Sequence, residues 1–155
     1  MGKVNPAREA ALKSLLKMKS GKYTNLEVNA TLTRADMSAA DRGLYTALVY
    51  GVCERIITLD KTIERYSKVP LSKIDPEALA ALRLGIYQLS FMSKIPDHAA
   101  VDESVTLAGK KAGGFVNALL RALSAIKRSS PFPKGKVRTI SPLPIPYHWS
   151  FAIAL

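Results

Sequence analysis

The stretch from Asp75 to Met92, D-P-E-A-L-A-A-L-R-L-G-I-Y-Q-L-S-F-M, most constrains what this chain can fold into. Asp75 is a good N-cap, Pro76 sits where a missing N–H costs nothing, and Glu77 complements the helix dipole. Beyond them Leu79, Leu82, Ile86 and Leu89 line one face, while Leu84 and Tyr87 occupy others. A helix that is apolar on nearly every side must be surrounded by other elements, so it predicts a central helix over Ala78 to Phe91.

The other segments supply the surrounding helices. Asn5-Pro6 repeats the cap–proline start, and Leu12, Leu15 and Leu16 follow on one face, with Gly21 as the stop. A short second helix is expected over Asn25 to Leu32. Ser38 with Asp41 makes a capping-box-like start for a third, continued by Leu44, Leu48, Val52 and Ile56 at spacings of four. A fourth covers Leu59 to Tyr66, ended by Val69-Pro70. The sixth begins at Pro96 and Asp97, breaks at Gly113-Gly114, and gives way to a seventh over Phe115 to Ile126. No alternating strand pattern occurs, and the expected class is all-α. A chain of 155 residues with 48% hydrophobic content is enough for one domain with its own core. We place it at residues 1–128.

Residues 129–155 differ in texture. S-S-P-F-P-K-G-K supplies breakers, proline recurs at 142, 144 and 146, and the segment I-S-P-L-P-I-P-Y-H-W-S-F-A-I-A-L has no structural period. These residues are expected to be a linker and tail outside the domain.

Catalytic groups are not evident. There is no glycine-rich phosphate loop and no nucleophile elbow. The single cysteine, Cys53, lies in an apolar helix and reads as packing; with His98 and His148 far apart, no metal site is expected. Tyr45, Tyr50, Tyr87 and Phe91 read as core. The adjacent acids Asp102 and Glu103 point about 100° apart on a helix, so one should be solvated and the other paired with a base such as Arg121. No secretory signal or run long enough for a membrane span is seen, and a cytoplasmic protein is expected.

Charge is the positive clue. The net charge is +11: residues 1–22 carry six bases against Glu9, residues 104–155 carry eight and no acid, and 23–103 are nearly neutral. Basic ends on a neutral body predict a polyanion-binding face if the fold brings the ends together. The residues concerned are Lys3, Arg8, Lys13 and Lys17 near the first helix, and Lys110, Lys111, Arg121, Lys127 and Arg128 near the last two.

Four stretches carry a family likeness: A-R-E-A-A-L at Ala7–Leu12, D-R-G-L-Y-T-A-L-V-Y-G-V at Asp41–Val52, L-R-L-G-I-Y-Q-L-S-F-M at Leu82–Met92, and I-P-D-H-A-A-V-D-E-S-V-T-L-A-G-K-K-A-G-G-F-V-N-A-L-L-R-A-L at Ile95–Leu123. Together they resemble the NusB-like RNA-binding domain, in the version that opens bacterial small-subunit ribosomal RNA cytosine methyltransferases of the Sun or Fmu type. The resemblance spans roughly Val4 to Arg128. It implies about seven helices in two small bundles, ribosomal RNA as partner, and RNA contacts by Lys3, Arg8 and Arg121. It also leaves a structural role open beside RNA contact for both Asn117 and Arg121, and for Arg83 implies either an RNA contact or the satisfaction of a buried acid. In that family an S-adenosylmethionine-binding catalytic domain follows the linker. Its cysteines have no counterpart here, so no catalysis and no cofactor are expected of this chain itself. The tail departs from the family. A shift of reading frame near Arg138 would, within codon degeneracy, restore the family's continuation; the alternative is a terminus that docks Trp149 and Phe151 on an apolar groove. A free-standing antitermination factor with a protein partner, and a scaffold without RNA, are the rival functions.

Overall fold

The computed structural model describes residues 3–18 and 23–128. Among them the regular elements are helices: α1 (Pro6–Lys17), α2 (Thr24–Arg34), α3 (Ala39–Glu54), α4 (Ile56–Tyr66), α5 (Pro76–Phe91) and α6 (Asp97–Arg128), with one 3-10 turn at Leu71–Lys73. The all-α expectation holds. The expectations placed on Gly21 and on residues 129–155 lie outside the described residues.

Local chemistry sets most of the starts. Asn5 Oδ1 accepts the N–H groups of Ala7 at 2.9 Å and Arg8 at 3.3 Å. Ser38 Oγ accepts from the Asp41 N–H at 3.2 Å, and Asp75 Oδ1 from the Glu77 N–H at 3.4 Å. Each satisfies a backbone donor that the first helical turn leaves without a partner. The start of α2 is different: Tyr23 precedes it in the left-handed region, φ 64°, and no side chain caps it. At the α3–α4 junction the backbone departs from helix at Arg55, φ −114° and ψ 18°. Ile56 therefore opens α4 instead of continuing α3, and α4 starts three residues before the expected Leu59.

Helix α5 is central, as its all-round apolarity requires. It packs on α1, α3, α4 and most extensively α6, while α1, α2 and α3 also pack on one another. Leu82, Leu84 and Ile86 are wholly buried in one core with Tyr45, Leu48 and Val49 of α3, Leu59 and Ile63 of α4, and Val116, Leu120 and Leu123 of α6. This places the two groups, α1–α3 and α4–α6, on a shared spine.

The break in the last helix is not at Gly113-Gly114. It falls at Gly109, with φ 80° and ψ 175°, a conformation that essentially only glycine tolerates. Gly113 remains helical, and a Cβ there would lie 3.4 Å from Val105 Cγ1 of the arm before the break. The arms 97–108 and 110–128 thus form two helices in all but a single residue, which accounts for the expected seven. Gly109→Ala should cost about 1–3 kcal/mol by forcing a side chain into this conformation, measured as a lower urea midpoint with unchanged m-value.

Candidate nucleic-acid interface

The nine basic residues singled out in the sequence do not share one fate. Arg8, on the first turn of α1, is only 7% exposed. Its Nε donates to Gln88 Oε1 of α5 at 2.7 Å, and its guanidinium lies 3.9 Å from Glu103 Oε1 of α6. Burial pushes the guanidinium pKa down, opposed by the carboxylates of Glu103 and Asp41. Lys127 behaves alike: Nζ donates to the Leu89 carbonyl at the end of α5 and to Asp97 Oδ1 at 2.8 Å, while Asp97 Oδ2 accepts from Ser124 Oγ at 3.2 Å. These two cations are internal clamps, which corrects their expected place on a binding face. A phosphate could reach them only by displacing their partners.

Six of the remaining bases face outward. Lys3, Lys13, Lys17, Lys110, Lys111 and Arg121 are all exposed. Lys13 Nζ pairs with Glu9 one turn back at 3.1 Å, and Arg121 Nε donates to Asn117 Oδ1 at 2.8 Å on the same helix. Asn117 therefore braces Arg121 along α6. Arg128 closes α6.

The entry to α1 is tied into the body of the molecule. The Asn5 N–H donates to Glu103 Oε2 at 3.1 Å, and Asn5 Nδ2 donates to Asp41 Oδ1 at 3.3 Å. The entry to α1, two residues after Lys3, is thereby fixed on the arm of α6 that leads to Lys110 and Lys111. Of the adjacent acids, Asp102 is exposed and Glu103 is half-buried; its cationic partner is Arg8, not Arg121. Arg83 follows the structural alternative, gripping Asp60 of α4 through Nε at 2.8 Å and a terminal nitrogen at 3.0 Å.

A cleft of about 500 Å³ opens between α1 and α2, with Ser14, Glu27, Thr31 and Arg34 among its lining. No motif marked Glu27 or Arg34, because only the packing of α2 on α1 brings them beside Ser14. Of the aromatic residues expected in the core, Tyr50 is half-buried and donates its hydroxyl proton to Asn25 Oδ1 at 2.6 Å. Tyr45 is fully buried with its hydroxyl 2.7 Å from Ser14 Oγ, and Tyr87 packs on Phe91 at 5.5 Å between ring centroids. The Arg55 guanidinium covers the Phe91 ring at 4.2 Å.

Cys53 is half-buried, and burial raises its thiol pKa against weaker opposing effects of Thr24 and Arg83. We expect iodoacetamide at neutral pH to modify native Cys53 several-fold more slowly than the urea-unfolded chain, because less thiolate is present and access is restricted. His98 is exposed at the start of α6, and among the described residues no group of three or more His, Cys, Asp or Glu could hold a metal ion. No described helix is long and apolar enough to cross a membrane.

The model of the NusB family matches residues 5–125, the span from the α1 cap to the final turns of α6. The chain belongs to the NusB family. It is 35% identical over 126 residues to a probable ribosomal RNA small subunit methyltransferase B of Bacillus subtilis, covering 78% of this chain and 28% of that protein. The corresponding Synechocystis protein is 38% identical over 105 residues, covering 64% of this chain and 23% of its own length. The transcription antitermination protein NusB of Acetivibrio thermocellus is 35% identical over 130 residues, covering 80% of this chain and 90% of that one. The chain thus spans about a quarter of the methyltransferase relatives and nearly all of the NusB one. Among solved structures, T. maritima NusB superposes with a TM-score of 0.64 at 23% identity, covering 79% of this chain and 93% of that chain, which gives the NusB fold.

Proposed function

We propose that this NusB-family domain is the RNA-holding part of a small-subunit ribosomal RNA cytosine methyltransferase. The observation that carries RNA binding is the division of its bases. Arg8 and Lys127 serve the fold, while Lys3, Lys13, Lys17, Lys110, Lys111 and Arg121 stay exposed on two segments joined at Asn5 and Glu103. Exposed cations contribute little to folding and are available to neutralise phosphates, which position RNA without reading its sequence. The methyltransferase context is supported by the likeness to the Bacillus subtilis and Synechocystis proteins. In this reading the described residues bind substrate, and S-adenosylmethionine and the cytosine-attacking thiols belong to a separate catalytic domain. The protein would act in the cytoplasm.

Gel shift against a small-subunit ribosomal RNA fragment over a salt series tests it. Each phosphate contact adds about 0.7–0.9 to the slope of log K against log salt, so replacing Lys13, Lys17 and Lys110 by glutamine together should lower that slope by about 2. Salt-independent or absent binding would leave the scaffold reading standing.

The second reading is a free antitermination factor, favoured by the match over 90% of the Acetivibrio thermocellus NusB. Preference for a nascent leader transcript over folded small-subunit ribosomal RNA would select it.

A further inference from the structure

The cleft between α1 and α2 has a built floor. Glu27 Oε1 accepts two hydrogen bonds, from Ser14 Oγ at 3.0 Å and Thr31 Oγ1 at 3.2 Å. Ser14 is 1% exposed and also bonded to the buried Tyr45 hydroxyl, and Thr31 is 5% exposed. Two buried hydroxyls thus fix one carboxylate oxygen, and Oε2 remains able to accept donors from the cleft, since a carboxylate offers about four acceptor positions. The walls beside it, Ala10, Leu16 and Met37, are apolar.

The rim is charged. Lys13 is already paired with Glu9 at 3.1 Å. Lys17 and Arg34 add two more cations, and Asp36 one more acid. Arg34, exposed, donates to Thr31 Oγ1 one turn back on its own helix at 3.4 Å. The matching ligand has flat apolar faces for the walls, N–H donors for the floor and an anionic group for Lys17 and Arg34. A cationic peptide would satisfy Glu27 but meet Lys17 and Arg34 at the entrance. An unpaired nucleotide satisfies all three demands, and a volume of about 500 Å³ lies within the range of small-molecule sites. Guanine suits the floor best: its Watson–Crick edge presents two adjacent donors, N1–H and the 2-amino group, where adenine presents one donor beside an acceptor. Single-stranded RNA is read through such splayed-out bases.

We propose that the α1–α2 cleft takes an unpaired guanosine of the bound RNA, its donor edge on Glu27 and its phosphate at Lys17 and Arg34. This rests on the RNA-binding reading above and adds base selectivity to it.

The test uses the full chain and short single-stranded oligouridine probes with guanosine, inosine or adenosine at the centre, measured by fluorescence anisotropy at fixed salt. The expected result is guanosine about tenfold tighter than adenosine, in the range for good base-edge contacts, with inosine between because it lacks the 2-amino group. Glu27→Gln should bring the three probes within about twofold of one another, since the amide turns a donor toward the base. Ala35→Trp, which fills the cleft from its rim, should do the same if Glu27→Gln fails to melt cooperatively. Equal affinity of the wild-type chain for all three probes, or guanosine preference surviving both variants, would overturn the cleft assignment while leaving RNA binding intact. Absence of binding to these probes and to ribosomal RNA would overturn both.

Discussion

Replacing Arg8 by alanine should lower the unfolding free energy by about 3 kcal/mol, the scale of a buried charge pair broken from one side. The guanidinium occupies a point where α1, α5 and α6 meet, donating to Gln88 and facing Glu103. Without it Gln88, which is wholly buried, keeps only its own donation to the Leu84 carbonyl at 2.9 Å and loses the donor at Oε1. Glu103, a quarter exposed, retains the Asn5 N–H but loses its cation. In a chain of this size the loss corresponds to a fall in Tm of roughly 6–12 °C. Arg8→Lys should recover only part of it, because a single ammonium cannot reproduce the planar fork that serves two partners at once. The decisive second readout is RNA. If Arg8 is an internal clamp, the folded fraction of Arg8→Ala keeps the salt slope of the unaltered chain. A drop of about one unit in that slope would show that Arg8 touches phosphate and that its buried pairing opens on binding.

The same residue shows where sequence reasoning reaches and where it stops. The caps at Asn5, Ser38 and Asp75 were legible because side chain and backbone partner lie within three residues of each other. The central place of α5 was legible because no amphipathic helix can be apolar on every side. What could not be read is which charge finds which partner. Arg8 with Glu103, Lys127 with Asp97 and Arg83 with Asp60 are joined only once the helices pack, and in the sequence a clamped base is identical to a free one. The adjacent acids were rightly split between solvent and pairing, since the helical angle alone decides that, but the expected partner Arg121 turned outward to Asn117. Three glycines stand at 109, 113 and 114, each able to break a helix. Packing of the two arms through Val105 and Gly113 selects the first. The α1–α2 cleft was invisible for the same reason: its floor joins Ser14 to Glu27 and Thr31 from a different helix.

The most extensive helix contact, α5 on α6, should fail when Gly85 gains a side chain. A Cβ built on Gly85 would lie 2.7 Å from Leu120 Cδ1, 2.8 Å from Ser104 Oγ and 3.1 Å from Leu120 Cδ2. Leu120 and Ser104 are both wholly buried, so neither can swing into solvent to make room. Two effects of opposite sign then compete in Gly85→Ala. Alanine gains up to about 1 kcal/mol of helix propensity, and overpacking costs about 1–3 kcal/mol, so the net loss should be about 1 kcal/mol. Gly85→Val removes the compensation, because a β-branched residue loses side-chain freedom in a helix and adds two methyl groups against α6. We expect it to cost about 3 kcal/mol or more by urea unfolding. Leu120→Val separates collision from other causes. Alone it is destabilising, since it removes a buried methylene; combined with Gly85→Ala it relieves the clash, and the double-mutant cycle should show favourable coupling of about 0.5–3 kcal/mol. Simple additivity would mean that α6 shifts away from α5 as a body. The Lys127 contact to the Leu89 carbonyl and Asp97 resists that shift by holding the far end of the interface closed.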